Sequence, residues 1–239
     1  SIDYLSINIY GGLGNLPQQL LDIGYTGAYA VTEWGPDGHW QVDKTTWSAP
    51  IEQTSTEKAA SYRSRYQRGI IAASDRAIGS YAFLWGQKQE TTPTWYGVFT
   101  EKGQANEIID SLQYLWTGHW PQQRAPSIAD YTINKLHAGD NIQLSADKAY
   151  QAKVDIIRHD AGKLKVAWEI LPESTDIKAG GDPESRPKGI THFIIAQDEN
   201  GSMTFNAPTK PGAYRLFVSL SNDDNKVANA NIPFYVLAQ

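Results

Sequence analysis

Two patterns of apolar and polar positions divide the chain. Through the first half, short apolar runs alternate with segments whose apolar residues recur at helical spacing. "IDYLSINIYGG" reads as a buried strand running into a glycine turn, and "LPQQLLDIG" as a short helix with Pro17 near its start and Gly24 at its end. "GAYAVTEWG" is the next predicted strand, followed by a polar loop from Pro36 to about Ser55. "STEKAASYRSRYQRGIIAASDR" is the longest predicted helix, capped by Thr54, Ser55 or Thr56, with Ala59, Tyr62, Tyr66, Ile70 and Ala73 on one face. "AIGSYAFLWG" is a third strand and "TEKGQANEIIDSLQYLWTG" a third helix, closed by Gly118. Strand and helix in strict alternation predict parallel strands with crossover helices.

The pattern changes after "HWPQQRAP". From Ser127 onward the runs "YTINKL", "NIQLSA", "AYQAKVDIIRH", "LKVAWEIL", "GITHFIIAQ", "SMTFNAP", "GAYRLFVSLS" and "ANIPFYVLA" alternate like strands, separated by turn-forming stretches such as "DAGK", "DENG" and "NDDNK". They predict an antiparallel β-sandwich. The fold class expected is therefore α/β plus all-β, with one domain over residues 1–121 and an immunoglobulin-like sandwich over 127–239.

Composition narrows the function. The net charge is -5 with no basic run, which argues against a nucleic-acid partner. The absence of Cys excludes disulfides, thiolate metal sites and a Cys nucleophile. No apolar run reaches the length of a membrane span. The chain begins at Ser1 rather than Met and reads as a processed product or an excised fragment. Eight Trp and thirteen Tyr against six Phe favour rings with polar edges, suited to surfaces both apolar and wet, as well as to ordinary cores.

Three parallel strands either form a small open α/β sheet or belong to the last part of a (β/α)8 barrel whose earlier strands lie elsewhere. In both cases chemistry gathers at the strand C-terminal ends. Those ends carry Asn8 and Tyr10, then Glu33 and Trp34, then Trp85 with Gln87 just beyond. A carboxylate beside a Tyr hydroxyl, an Asn amide and an indole face suits a sugar. A salt-bridging or capping role for Glu33 is the plain alternative.

In sequence, "DYLSINIYGG", "YAVTEWGPDG" and "GSYAFLWG" resemble the sixth, seventh and eighth strands of clan A retaining glycoside hydrolases, closest to the family 2 catalytic barrel. The resemblance covers roughly residues 1–118. It implies a partial (β/α)8 barrel, its last three βα units, followed by the sandwich. It implies that Glu33 in Thr32-Glu33-Trp34-Gly35 is the catalytic nucleophile, that Tyr10 contacts it, and that Trp85 lines the subsite at the cleaved bond. Asn8, Trp34 and Trp40 join Tyr10 and Trp85 as substrate-binding residues. Retention requires a second carboxylate roughly 5 Å away, and the resemblance places that acid/base upstream of Ser1. The partners implied are an oligo- or polysaccharide substrate and the missing N-terminal part of the barrel. A non-catalytic carbohydrate-binding or scaffold protein of glycosidase descent is the alternative, and export to the periplasm or extracellular space is slightly favoured.

Other features carry less. Asn106-Glu107 falls inside a predicted outer helix, Asp37 and Asp43 fall in a loop, and Glu90 stands ahead of them as a second carboxylate. His39 and Trp40 can reach over the site or pack within their loop. Trp95 and Tyr96 can extend an aromatic platform or enter the core. The five His are scattered without a zinc pattern, so neither metal nor cofactor is expected. Gly11-Gly12-Leu13-Gly14 lacks the Lys-Ser/Thr of a phosphate loop, and "DENGS" and "SNDDNK" read as turns rather than Ca²⁺ loops.

Overall fold

The computed structural model describes residues 2–157, 159, 162–179 and 181–238. Arg158 of one predicted strand, Asp160 and Ala161 of the turn after it, and Gly180 of a predicted loop lie outside the described residues.

Three strands, β1 (Tyr4–Asn8), β2 (Ala28–Trp34) and β3 (Ala77–Ala82), form a parallel sheet in the order β1-β2-β3. The two-residue period decides what each side meets. Leu5 and Ile7 of β1 pair in register with Tyr29 and Val31 of β2 and face a core completed by Leu13, Leu16 and Tyr62. Tyr4, Ser6 and Asn8 point the other way and are exposed.

Helix α1 (Leu16–Asp22) carries Pro17 in its first turn, where the missing N–H costs nothing. Helix α2 (Ser55–Gly69) begins at Thr54, whose hydroxyl accepts from Glu57 N while the Glu57 carboxylate accepts from Thr54 N. Helix α3 (Glu107–Thr117) begins later than the sequence pattern indicates. Asn106 caps it by accepting from Ile108 N at 3.0 Å, and Gly118 ends it at φ 75°. Just before α3, Ala105 and Asn106 form a short strand, β4.

The rest of the chain forms two facing sheets. One has the order β5-β7-β10-β9, from β5 (Ser127–Ile133), β7 (Ala149–Ile157), β10 (Ser202–Asn206) and β9 (Ile194–Gln197). The other runs β4-β12-β11-β8, from β12 (Lys226–Leu237), β11 (Gly212–Asn222) and β8 (Leu164–Pro172), with β6 (Gln143–Ser145) also paired to β12. Ile133, Val154, Phe205, Leu216, Val218 and Phe234 fill the space between them, as aligned sheet packing requires.

The expected partial (β/α)8 barrel is corrected by this architecture. The described chain holds 12 strands and only three α-helices, so it is mostly sheet. The third βα unit is not completed as a barrel unit. After β3 the chain runs irregularly to β4, and β4 pairs in parallel with β12 of the sandwich. Lys226 Nζ then meets Asp110 of α3 at 2.5 Å. The start of α3 is thus fixed by the sandwich rather than by a further strand of the parallel sheet. Antiparallel β-sandwich with a small three-stranded α/β unit describes the molecule.

A buried polar seam joins the two units. Lys58 of α2 meets Glu52 at 2.5 Å, and Glu52 also accepts from Thr92 at 2.6 Å, from Thr94 at 2.9 Å and from Asn231 of β12 at 2.6 Å. Arg215 of β11 forks onto Glu173 and donates to Asn231 Oδ1 at 2.8 Å and to Pro50 O at 2.7 Å. Each charge in this seam has an opposite charge and further hydrogen bonds, the condition under which burial of ions is tolerated. No helix among the described residues is long and apolar enough to cross a membrane.

Candidate functional site

The C-terminal ends of β1 and β2 place a carboxylate within reach of two donors. A register irregularity between Ile7 and Asn8 sets Asn8 opposite Glu33. The Tyr10 hydroxyl donates to Glu33 Oε1, Asn8 Nδ2 donates to Glu33 Oε2 at 3.4 Å, and Thr32 donates to Asn8 Oδ1 at 2.8 Å. Burial, and then the bond to Glu33, push the Tyr10 phenol well above its ordinary value, so it stays a donor. Glu33 is half-buried and forms no ion pair among the described residues.

Aromatic side chains surround Tyr10. Trp40 meets it edge-on at 5.7 Å, Tyr96 lies at 5.5 Å and Phe83 at 6.1 Å. His39 packs against Trp40 at 5.0 Å and against Trp95 at 6.0 Å. Its Nδ1 lies 3.3 Å from the Tyr96 hydroxyl. The loop after β2 is pinned from below: Arg65 of α2 holds Asp37 at 2.5 Å and Gly35 O at 3.0 Å, and Trp95 Nε1 donates to Asp37 O at 2.9 Å. Gln41 Oε1 accepts from Gly11 N at 3.1 Å and Gly38 N at 2.9 Å, tying that loop to the turn after β1. Gly35 has no room for a side chain, since a Cβ there would stand 2.8 Å from Phe83 O and 3.2 Å from the Tyr10 ring.

The structure brings Asn8, Tyr10, Glu33 and Trp40 into one cluster. Trp34 and Trp85 sit apart from it. Trp34 is fully buried and packs on Tyr62 at 4.7 Å and Tyr66 at 5.7 Å, on the helix side of the sheet. Trp85 is 55% exposed and stacks on Trp116 of α3 at 6.1 Å, with Phe99 at its edge. Asp37 is the partner of Arg65, and Glu90 is held by Lys88 at 2.8 Å. Tyr96 and His39, which the sequence left open, join the cluster, and Gln41 and Phe83 carried no signal in it. Burial lowers the His39 imidazole. The carboxylates of Glu90 and Glu184 work against that lowering.

A further concavity lies elsewhere. It is a groove of about 570 Å³ on the sheet containing β7 and β10, lined by Thr132, Gln151, Lys153, Asp198 and neighbours. Two of its charged groups are already engaged: Lys153 meets Asp155 at 2.7 Å, and Asp198 closes a turn by accepting from Asn200 N and Ser202 N. The open strand-end cluster has the convergent groups that the groove lacks. Among the described residues no group of three or more His, Asp or Glu gathers as metal ligands would. The single Met203 is buried.

No family model matches the chain, and no curated protein matches it. Solved structures that it resembles include CopC from Methylosinus trichosporium OB3b, at 14% identity over 46% of this chain and 92% of that one, with a TM-score of 0.28. PcoC, a methionine-rich copper-resistance protein from Escherichia coli, matches at 14% identity over 47% of this chain and 99% of its own, with a TM-score of 0.29. The PmoD soluble domain from Methylocystis sp. ATCC 49242 (Rockwell) matches over 45% and 89%, at 14% identity and a TM-score of 0.27. Likeness at this level carries no function across.

The fold corrects the resemblance to clan A glycoside hydrolases, since the parallel sheet stops at three strands and β4 pairs with β12 of the sandwich. The retaining glycosidase assignment, with Glu33 as its nucleophile, is withdrawn with the barrel, and so is the carbohydrate-binding alternative.

Proposed function

We propose that the strand-end cluster is a binding site for a small organic cation, a protonated or quaternary amine. The observation that carries the reading is the Glu33 carboxylate, which Tyr10 and Asn8 hold in place and which no Lys, Arg or His pairs among the described residues. A fixed, half-buried carboxylate favours a positive partner. Around Tyr10, which holds it, the rings of Trp40 and Tyr96 carry negative π-faces that attract the same charge. Trp40, 57% exposed, is the ring that solvent and a ligand reach most readily. Asn8 orients the carboxylate, Tyr10 keeps it an acceptor by staying protonated, and Glu33 neutralises the ligand charge.

The test is calorimetric titration of the intact chain with tetramethylammonium, compared with its neutral isostere and with the Glu33→Gln variant. The expected result is saturable binding of the cation only, weakened at least about tenfold in the variant, or about 1.4 kcal/mol. Equal affinity of wild type and Glu33→Gln overturns the reading.

A further inference from the structure

We infer that the sandwich loop between β8 and β9 forms a working wall of the strand-end site. In this arrangement Glu184 is a positioning residue that fixes the Lys88–Thr91 segment beside the aromatic cluster. The inference rests on the cation-binding reading and goes beyond it, because it makes the sandwich part of the site.

Four contacts carry it. Thr91 N donates to Glu184 Oε2 at 2.6 Å, and Lys178 N donates to Glu184 Oε1 at 3.1 Å, so one buried carboxylate bridges the two loops. Lys88 Nζ spans the same junction, meeting Glu90 Oε2 at 2.8 Å and Gly181 O at 2.7 Å. The segment needs such a hold. Thr91 lies at φ 62°, a left-handed conformation that a β-branched residue adopts only when its surroundings impose it. Gln89 beside it is buried with neither amide atom bonded to another described side chain or backbone group. Left alone, this stretch would relax toward solvent. The clasp from the sandwich keeps it in place, and the chain then enters the cluster through Trp95, whose Nε1 donates to Asp37 O at 2.9 Å, and Tyr96, whose ring lies 5.5 Å from Tyr10 and whose hydroxyl lies 3.3 Å from His39 Nδ1; the charges of Glu90 and Glu184 act in the direction that favours a proton on His39. The acidic wall and Glu33 together favour a cationic ligand, while Lys88 limits how much of the Glu90 charge is free.

The experiment uses the full chain and two substitutions, Glu184→Gln, which keeps an oxygen acceptor without the charge, and Glu184→Asp, which keeps the charge without the reach. Two readouts are taken: the His39 titration by NMR, which needs no ligand, and the affinity for tetramethylammonium. Glu184→Gln is expected to lower the His39 pKa and to weaken the probe about threefold, the size of one modest electrostatic contribution. Glu184→Asp is expected to recover part of the His39 shift. A His39 pKa unmoved in Glu184→Gln overturns the inference, and so does a lowered pKa with unchanged probe affinity. If the wild type itself fails to bind tetramethylammonium, the cation reading falls and takes the wall with it. A wild type that binds while Glu184→Gln binds equally well refutes the wall alone.

Discussion

The Lys58 ammonium lies 2.5 Å from the Glu52 carboxylate with both side chains almost wholly out of water. The pair sits where α2 meets β12, since Glu52 also accepts from Asn231. A buried pair of this kind contributes little net stability when intact, because desolvation offsets attraction, yet breaking it strands a charge. Lys58→Met is therefore expected to cost about 3–5 kcal/mol in chemical denaturation. The double variant Lys58→Met/Glu52→Gln should recover part of that loss.

The same pair sets an acid dependence. Burial works against the charge on Glu52, but Lys58, Thr92 and Arg215 outweigh it and hold the carboxyl below its ordinary value of 4.5. A group depressed in the folded state contributes stability above its unfolded value and loses it as pH falls through the folded one. The urea midpoint should be level through neutral pH and drop below about 4.5, more steeply in the wild type than in Glu52→Gln.

Thr54 offers a local test with no bearing on the site. Its hydroxyl and the Glu57 carboxylate complete a capping box at the start of α2. Thr54→Ala should cost about 1 kcal/mol of global stability, measured by thermal or urea unfolding. Glu33→Gln, at a half-buried strand end and keeping an oxygen acceptor for Tyr10, should change stability far less.

Arg215 tests whether the seam couples the two units. Its guanidinium serves Glu173, Asn231 and Pro50 O at once. A lysine cannot reproduce a planar fork. Arg215→Lys is expected to lose about 2–4 kcal/mol and to spread the single unfolding transition into two.

Much of the sandwich was legible because alternation is a local signal: each residue's side follows from its neighbours two positions away. The runs containing Val154, Phe205, Val218 and Phe234 were predicted strands, and all four side chains are in the core. Helix α3 was legible in its apolar spacing but not in its start, because the pairing of Ala105 and Asn106 with Lys226 and Val227 joins residues far apart in sequence. The barrel expectation failed for the same reason. Three short motifs describe strand ends, whereas barrel closure is a property of every strand together. At the site, Asn8, Tyr10 and Glu33 were legible through their place at the ends of predicted strands. Trp34 follows Glu33 directly and so points to the opposite face of β2, onto Tyr62. The contact of Glu184 with Thr91 could not be read, since the two lie 93 residues apart in sequence.

The most direct test of the cation site is an NMR titration of the intact wild-type chain with tetramethylammonium, following backbone amides and aromatic side chains. Binding at the strand ends predicts saturating shifts confined to Tyr10, Glu33, His39, Trp40 and Tyr96. Shifts that fail to saturate, or that appear instead along the groove of Thr132, Gln151 and Lys153, would contradict it.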